Sequence, residues 1–590
     1  MANIVIRAPE IKNIGGWVLD TQFVTTMGIP YLMAHGAGHP VADATAEFTV
    51  DKDGEYDLYV YTYNWVAPWK PQYAPGVFEI YVDGMKSGDQ FGSSATKWGW
   101  EKGGCVKLEK GTHTLSIHDL TGYEGRFGMI VLSDDKDVML PETAKEVFQF
   151  AYASGNFTDP IEAGSYDLVI CGGGIPAICA ALTAARNGLQ VALIQDRPLV
   201  GGNNSSEVRV WLGGETNYDP FPGIGNVVNE LEQEKVGHYG TDNQPEYYED
   251  EKKMGLLKAE KNITLYMEHI MTDVEMDGNR IVSVTAWDYK NANRKRIQGK
   301  LFSDCTGDAT LGALAGADFE VTTNGHMGMT TFWYIEDTNE FQPYPSCPWA
   351  IDRKGVDIPG RLNRPTNGGR RHDQDLGCWF WETGCEYDPI EKAEFARDLG
   401  FRSMYGALDA LKNHDHTYET WKIGFYAYIC GKRESRRLFG DVVITKSDVH
   451  KDSQFDDGCI PSTWQLDVHY PAKRYYPAFH EGDAFITQAY YEKFKRPFFL
   501  PYRTIYSRNI ANMFMAGRNT SVSHDALGTS RVMRTGGVMG EVIGYASKYC
   551  IKYGCDPRGV YTDHLEEFMA ELKSIPNLKL NDLVANKGHN

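Results

Sequence analysis

Four clusters of residues in this 590-residue chain have types and spacings that could do chemistry. The first is Gly172-x-Gly174-x-x-Ala177, the spacing of a turn that cradles the pyrophosphate of a dinucleotide. Its first glycine makes the tight turn, its second lets the backbone reach the phosphates, and the small third residue lets a helix lie close on a strand. Downstream, Gly201-Gly202 with Asn203, Ser205 and Ser206 forms a second loop of small residues. The third cluster, Arg433-Glu434-Ser435-Arg436-Arg437, sets several cations beside one acid. Such a group can clamp a carboxylate or offset charge that develops in a reaction, and it serves equally as an ion-pair network between two parts of a chain. Last comes His524-Asp525, followed by Arg531 and Arg534. Histidine is the side chain whose ordinary pKa suits it to take a proton from a hydroxyl near neutral pH. His524 is therefore the first candidate base among the 16 histidines. Arg433 and Arg531 join it as candidate catalytic residues, Arg534 is an anchor for an anion, and His326 and His372 are further candidates.

Several chemistries lack their residues. Disulfide exchange needs a cysteine pair on the helix after the fingerprint, and only Cys179 lies there; Cys550-x4-Cys555 comes too late in the chain. His414-Asp415-His416 has no matching second ligand pair, so no metal site is expected. No Gly-x-Ser-x-Gly elbow is present. The net charge of −20 argues against a nucleic-acid partner or an anionic membrane surface. No apolar run of about 20 residues suggests a membrane span, and the 11 scattered cysteines fit reduced thiols in a cytoplasmic protein. A periplasmic location stands as the alternative if a signal peptide has been removed.

Elements must hold these residues in place. Around the fingerprint, the apolar strand Tyr166–Cys171, the glycine turn, an Ala-rich helix to Asn187-Gly188 and the strand Gln190–Ile194 make one βαβ unit. The acid that would accept ribose hydroxyls is due at the end of the second strand, where Gln195 and then Asp196 stand; either could serve. Before this unit, short alternating strands at 46–50, 56–61, 77–82, 106–108, 114–117 and 129–132 are separated by turns such as Asp53-Gly54 and Asp83-Gly84. They predict an all-β sandwich over residues 1–140, and a connector over 141–165 contains a short helix near 143–152. Tyr63, Trp65, Trp69, Trp98 and Trp100 of the sandwich either stack on sugar rings or pack against the next domain.

The sandwich patterns GEYDLYVY, VFEIYVDG and KLEKGTHTLSIHD resemble carbohydrate-binding modules attached to bacterial polysaccharide-degrading proteins. Further on, GGGIPA, VGGNNSSEV, DCTGDATLGALAGA, GKRESRRLFGDVVIT and MFMAGRNTSVSHDALGTSRVMRTGGVMG resemble, in this order, the FAD-dependent oxidoreductases of the glutathione-reductase-like superfamily. The resemblance implies FAD, a small-molecule substrate and an electron acceptor whose identity is not readable. It implies an α/β Rossmann-type FAD-binding domain with an inserted α+β substrate cap: residues 166–325 and 501–550 for the FAD domain, 326–500 for the cap with 431–450 returning to the FAD domain, and 551–590 as a helical tail. It adds Thr306, Gly307, Asp308, Gly517, Arg518, Gly528 and Gly537 to the cofactor-binding residues. Arg518 stands where the family usually has Asp. In the cap, alternation would place Trp379 and Trp381 on one face beside Glu382. The expected reaction is oxidation of a hydroxyl on a sugar, glycoside or polyol by hydride transfer to flavin N5. Reduction of an activated C=C bond with an Arg as proton donor is the alternative, and a carbohydrate-binding protein with a structural flavin is a third reading. Homo-oligomerisation is allowed.

Overall fold

A computed structural model describes residues 3–153, 159–237, 239–323, 325–355, 357–361, 376, 379–472 and 486–578. His372 and Cys378 lie outside them.

Five segments run parallel in the order 263–267, 191–195, 161–171, 293–304, 513–515, with Leu168 opposite both Val191 and Leu301, and Phe302 opposite Met513. The central strand Ile161–Cys171 ends in Leu168-Val-Ile-Cys171, buried on both faces, as a parallel strand covered on each side requires. On the far side, 280–288 and 269–277 add an antiparallel hairpin that turns at Gly278 with φ +60°. Helix Ile175–Arg186 begins at Gly174 with Pro176 in its first turn, where the missing N–H costs nothing, and stops at Asn187-Gly188. Helix Met533–Tyr553 packs along it. A Cβ on Gly540 would stand 2.1 Å from the Pro176 carbonyl oxygen, and one on Gly544 would stand 2.5 Å from Thr183 Cβ, so the glycines set how closely the two axes approach. Helix Pro557–Ser574 follows it.

Two antiparallel sheets precede this body. One runs 18–20, 31–35, 123–133, 54–62, 99–108, with 3–7 also pairing 123–133; the other runs 44–50, 111–119, 78–82, 85–86. Leu32, Leu58, Val60, Ile130 and Leu132 of the first meet Phe48, Ile80, Leu115 and Ile117 of the second in one apolar cluster. The strands at 3–7, 18–20 and 31–35 escape an alternation test. Tyr31-Leu-Met-Ala34 is buried throughout because Leu32 and Ala34 face the second sheet while Tyr31 and Met33 face the later part of the chain.

That second face is sealed by helix Ala393–Asp409. Arg126, fully buried, donates to both oxygens of Asp398 (3.0 and 3.1 Å) and to Glu394 (2.9 Å). Arg397 reaches back to Asp20 (2.8 Å) and to the Tyr31 hydroxyl (2.8 Å). The aromatics of the early strands are used here. Trp65 meets Trp349 edge-on at 5.3 Å, Trp69 packs on Phe395 at 4.3 Å, Tyr63 lies against Trp98 at 5.9 Å, Trp98 donates to Glu394, and Trp100 donates to the Pro141 carbonyl. These rings pack within the protein and are taken up by the contact between the N-terminal sheets and the rest of the chain.

Between 326 and 500 the chain forms short sheets, 329–330 with 382–383 and 431–432, 333–337 with 421–426, 458–462 with 498–501, and 466–471 with 487–492. The pattern expected for Trp379 and Trp381 is not seen, because the strand is only Glu382–Thr383 and the preceding residues turn. Trp379 stacks on Phe332 at 4.4 Å and Trp381 meets Trp333 at 5.1 Å, in separate clusters. Among the described residues no helix is long and apolar enough to cross a membrane.

Candidate functional site

The glycines of the fingerprint build a cradle. Gly172 has φ +102° and its Cβ would stand 2.3 Å from the Cys305 carbonyl oxygen, so only glycine fits. Gly174 caps helix Ile175–Arg186 without a side chain, leaving first-turn N–H groups free at the positive end of the helix dipole. Gly201, at φ +112°, donates its N–H to the Gly173 carbonyl at 2.7 Å, and Gly202 approaches Gly174 so closely that a Cβ would stand 3.2 Å from its Cα. A second helix start, Val532–Met533 with Gly536, opens on the same space and also lacks a side-chain cap.

The space is a cavity of about 650 Å³. Gly172, Gly174, Gln195, Asp196, Gly201, Gly202, Asn203, Thr306, Gly307, Asp308, Gly517 and Arg518 line it, and so do Arg433 and Arg531. Asp308 accepts from Lys432 at 2.6 Å and from Arg518 at 2.9 Å; burial opposes its charge, but the two cations hold its carboxyl well below the usual range. Six cationic side chains, Arg197, Lys432, Arg433, Arg436, Arg518 and Arg531, line the cavity against three carboxylates, Asp196, Asp308 and Asp467. On a chain of net charge −20 this is a local positive excess suited to an anion.

Other predicted residues stand behind the wall. Ala177 is buried beneath the cradle and a Cβ on Gly537 would meet Val228, so both serve helix packing. Ser205 donates to the Gly202 carbonyl, and the Ser206 N–H donates to Asp250. A Cβ on Gly528 would lie 2.7 Å from the Asp467 nitrogen. Arg534 donates to Asn229 and Glu232. His524 is also outside the lining: its Nδ1 bonds Glu434 at 2.8 Å, and Glu434 also bonds Arg437. His326 bridges the Met327 and Tyr387 carbonyls. Sequence adjacency to the closing glycines did not carry His524 to the cavity, because helix His524–Ser530 starts away from the wall.

Among the described residues His269 and His469 line the wall, and it is His469 that stands among the charged groups. Its Nδ1 donates to Glu382 at 2.6 Å, and its Nε2 stands 3.1 Å from Asp467. Glu382 also meets Arg433 Nε at 2.7 Å, and Arg531 lies 3.5 Å from Asp467. Burial by itself would raise both acids, yet Arg433 and His469 hold Glu382 below its ordinary range, and His469 with Arg531 holds Asp467 far below. Burial works against the Arg531 cation and Asp467 supports it. Arg433 is fixed further by the Trp379 carbonyl and the Thr330 hydroxyl. Trp211, Trp379, Phe380 and Trp464 add an aromatic border. The signal in the sequence was Asp467-x-His469 inside the strand Leu466–Pro471, a two-residue spacing that puts both side chains on one face.

A family model described as FAD dependent oxidoreductase matches residues 167–572. Among solved structures, the flavin-dependent monooxygenase PieE in complex with FAD and substrate is 14% identical, with 30% of this chain and 36% of that one covered at a TM-score of 0.21. E. coli quinol fumarate reductase FrdA is 11% identical, with 70% and 75% covered at 0.32, and a family 35 carbohydrate binding module from an environmental isolate is 11% identical, with 23% and 99% covered at 0.17. The chain thus spans about a third of the length of the monooxygenase. No curated protein matches it.

The residues present fit FAD. Two uncapped helix starts and a cradle in which Gly172 and Gly201 have no room for a Cβ face a cation-rich space. There the buried Nε atoms of Arg518 and Arg531 have no hydrogen-bond partner among the described residues. FAD is the cofactor and the protein is an oxidoreductase. The family match takes in the fingerprint strand, the Asp308 turn and both closing helices, and by it this chain belongs to the FAD-dependent oxidoreductase family.

Proposed function

We propose that the enzyme oxidises a hydroxyl group of a small polar substrate, a sugar, glycoside or polyol, with His469 as the base. The observation that carries this reading is the fully buried carboxylate of Glu382 behind His469 Nδ1. Glu382 accepts from Nδ1–H and fixes the ring's orientation, and the substrate hydroxyl, entering between Nε2 and the Asp467 carboxylate 3.1 Å away, gives its proton to Nε2 of the neutral ring. The imidazolium so formed lies between Glu382 and Asp467, whose charges stabilise it. Bound FAD supplies the hydride acceptor. Arg433 and Arg531 hold the two acids and hydrogen-bond substrate oxygens, while the tryptophans pack against the apolar faces of a ring. The base expected from sequence, His524, gives way to His469 in this reading. In this reading residues 1–140 serve as the expected sandwich, and the described segments between 326 and 500, with 431–450 returning to the FAD domain, serve as the cap over the flavin face.

The pair Arg433 and Arg531 at the cavity wall favours a second reading, reduction of an activated C=C bond in an unsaturated acid, in which an Arg delivers the proton. An anaerobic screen separates the two. Bleaching of the flavin absorbance by a sugar or polyol, abolished by His469→Ala, is the expected result. If no hydroxyl compound bleaches the flavin while an unsaturated acid reoxidises the dithionite-reduced enzyme, the first reading is lost and the second holds.

A further inference from the structure

Two cysteines meet where helix Met533–Tyr553 ends. Cys550 lies in its last turn and Cys555 follows it. The helix closes on Gly554 in the left-handed region, φ +63°, and the Gly554 and Cys555 N–H groups both turn back to the Cys550 carbonyl, the second at 3.1 Å. In such a close the residue after the glycine folds back over the last turn, so Cys555 packs onto the core cluster that holds Cys550. The 3.1 Å bond keeps the two α-carbons within about 7 Å, the limit at which two cysteines can be bridged without moving backbone. Both thiols are free, and they hydrogen-bond each other.

The pair is asymmetric. Cys550 is 3% exposed, whereas Cys555 is only half-buried. The Cys555 sulfur also lies over the start of helix Pro557–Ser574: a Cβ on Gly559, in the first turn, would stand 3.3 Å from its Sγ. No side chain caps that helix start, and its positive end favours a thiolate. The hydrogen bond from Cys550 holds the Cys555 thiol below its ordinary range, against burial and the charges of Asp556 and Asp563. The same bond is the main reason that Cys550 keeps its proton, and it is lost once Cys555 is bonded to another sulfur. Neither residue lines the FAD cavity, so electrons pass between sulfurs here and not through the flavin.

From the two thiols that the helix close folds together, one accessible and one buried, we propose that Cys550 and Cys555 are a redox-active pair that reacts with low-molecular-weight disulfides such as oxidised glutathione. The Cys555 thiolate attacks one sulfur of the small disulfide, breaks its S–S bond and releases one thiolate. Cys550 then gives its proton to solvent and attacks the Cys555 sulfur, which forms the protein disulfide and releases the second thiolate. The two cysteines lose two electrons, and the small disulfide is reduced to two thiols.

The test is incubation of the full-length holoenzyme with oxidised glutathione, followed by alkylation and peptide mass spectrometry. In the wild type, Cys550 and Cys555 are expected to lose both thiols to an internal disulfide that carries no glutathione, and dithiothreitol is expected to restore both. Exposed Cys105, whose thiol contacts Lys136 at 3.9 Å, is the internal control and is expected to stop at a mixed disulfide. Cys550→Ala is expected to stop with glutathione on Cys555, and Cys555→Ser to leave Cys550 a free thiol. An unmodified pair beside a glutathionylated Cys105 overturns the proposal. Glutathione that stays on Cys555 in the wild type overturns the resolving role of Cys550, and glutathione on Cys550 in Cys555→Ser overturns the order of attack.

Discussion

Replacing Gly540 by Ala tests whether the close approach of two helices builds the cofactor site. A methyl group there would lie 2.1 Å from the Pro176 carbonyl oxygen and 2.9 Å from the Ala180 nitrogen, both backbone atoms that no rotamer change can move. Ordinary contact is about 3.5 Å, so the helices must part by roughly 1 Å. Overpacking of this kind costs about 1–3 kcal/mol, whereas Gly to Ala inside a helix returns about 1 kcal/mol. The clash is expected to win by up to about 2 kcal/mol. Because Gly174 and Gly536 both belong to the facing helix starts at the cavity, the same displacement should weaken FAD binding by about tenfold. Gly255→Ala is the internal control: it lies exposed in helix Asp250–Ala259 with nothing within 4 Å of a built Cβ, so it should stabilise by about 0.5–1 kcal/mol. Chemical denaturation of the apoprotein and fluorescence titration of FAD read both effects. A Gly540→Ala protein with wild-type stability and wild-type FAD affinity would refute the helix-approach argument, and loss of stability in Gly255→Ala would refute the sign assigned to the propensity effect.

Three further outcomes are expected. Arg518→Met removes a cation from the wall that also holds Asp308, and FAD affinity should fall by about 10- to 100-fold with a shallower salt dependence; an unaltered titration would remove Arg518 from the cofactor contacts. Arg126→Met leaves Asp398 and Glu394 with Arg397 as their remaining cation, and the denaturation midpoint should reflect a loss of about 3 kcal/mol, which an unchanged midpoint contradicts. Glu541 accepts the Gly225 and Val228 N–H groups, but burial outweighs these bonds and raises its carboxyl to about 7. The native state therefore keeps a proton that the unfolded chain has released, so its contribution is complete below the ordinary carboxylate range and is lost as pH rises through about 7. The loss between about pH 4.5 and pH 8 should approach about 3 kcal/mol, and pH-dependent melting of Glu541→Gln should lack that slope.

Much of the cofactor cradle was legible because its constraints are local. Gly172, Gly174 and the strand and helix around them need only neighbours in sequence to form the turn. The reactive wall was not legible in the same way. Glu382, Arg433, His469 and Arg531 come from four separate segments, and their contacts exist only after the short sheets of 329–501 fold over the cavity. His524 shows the cost of reading by adjacency: the closing motif placed it near the glycines in sequence, while its helix turns its imidazole to Glu434. The tryptophans of the early strands pose the same problem. Their type fits a sugar platform or an interior, and for Trp69 and Trp98 the position of helix Ala393–Asp409 supplies the packing partner.

By itself, the sequence determined the dinucleotide fold and the order of its motifs, because glycine dihedrals, apolar runs and small-residue helix contacts act over a few residues. Tertiary structure decided which histidines meet the cavity, how Asp308 is shared by Lys432 and Arg518, and that Thr21, far ahead of the fingerprint in the chain, stands at its wall. Those choices are made by burial and charge pairing between distant segments, energies that depend on where the chain returns and not on what stands next to a residue.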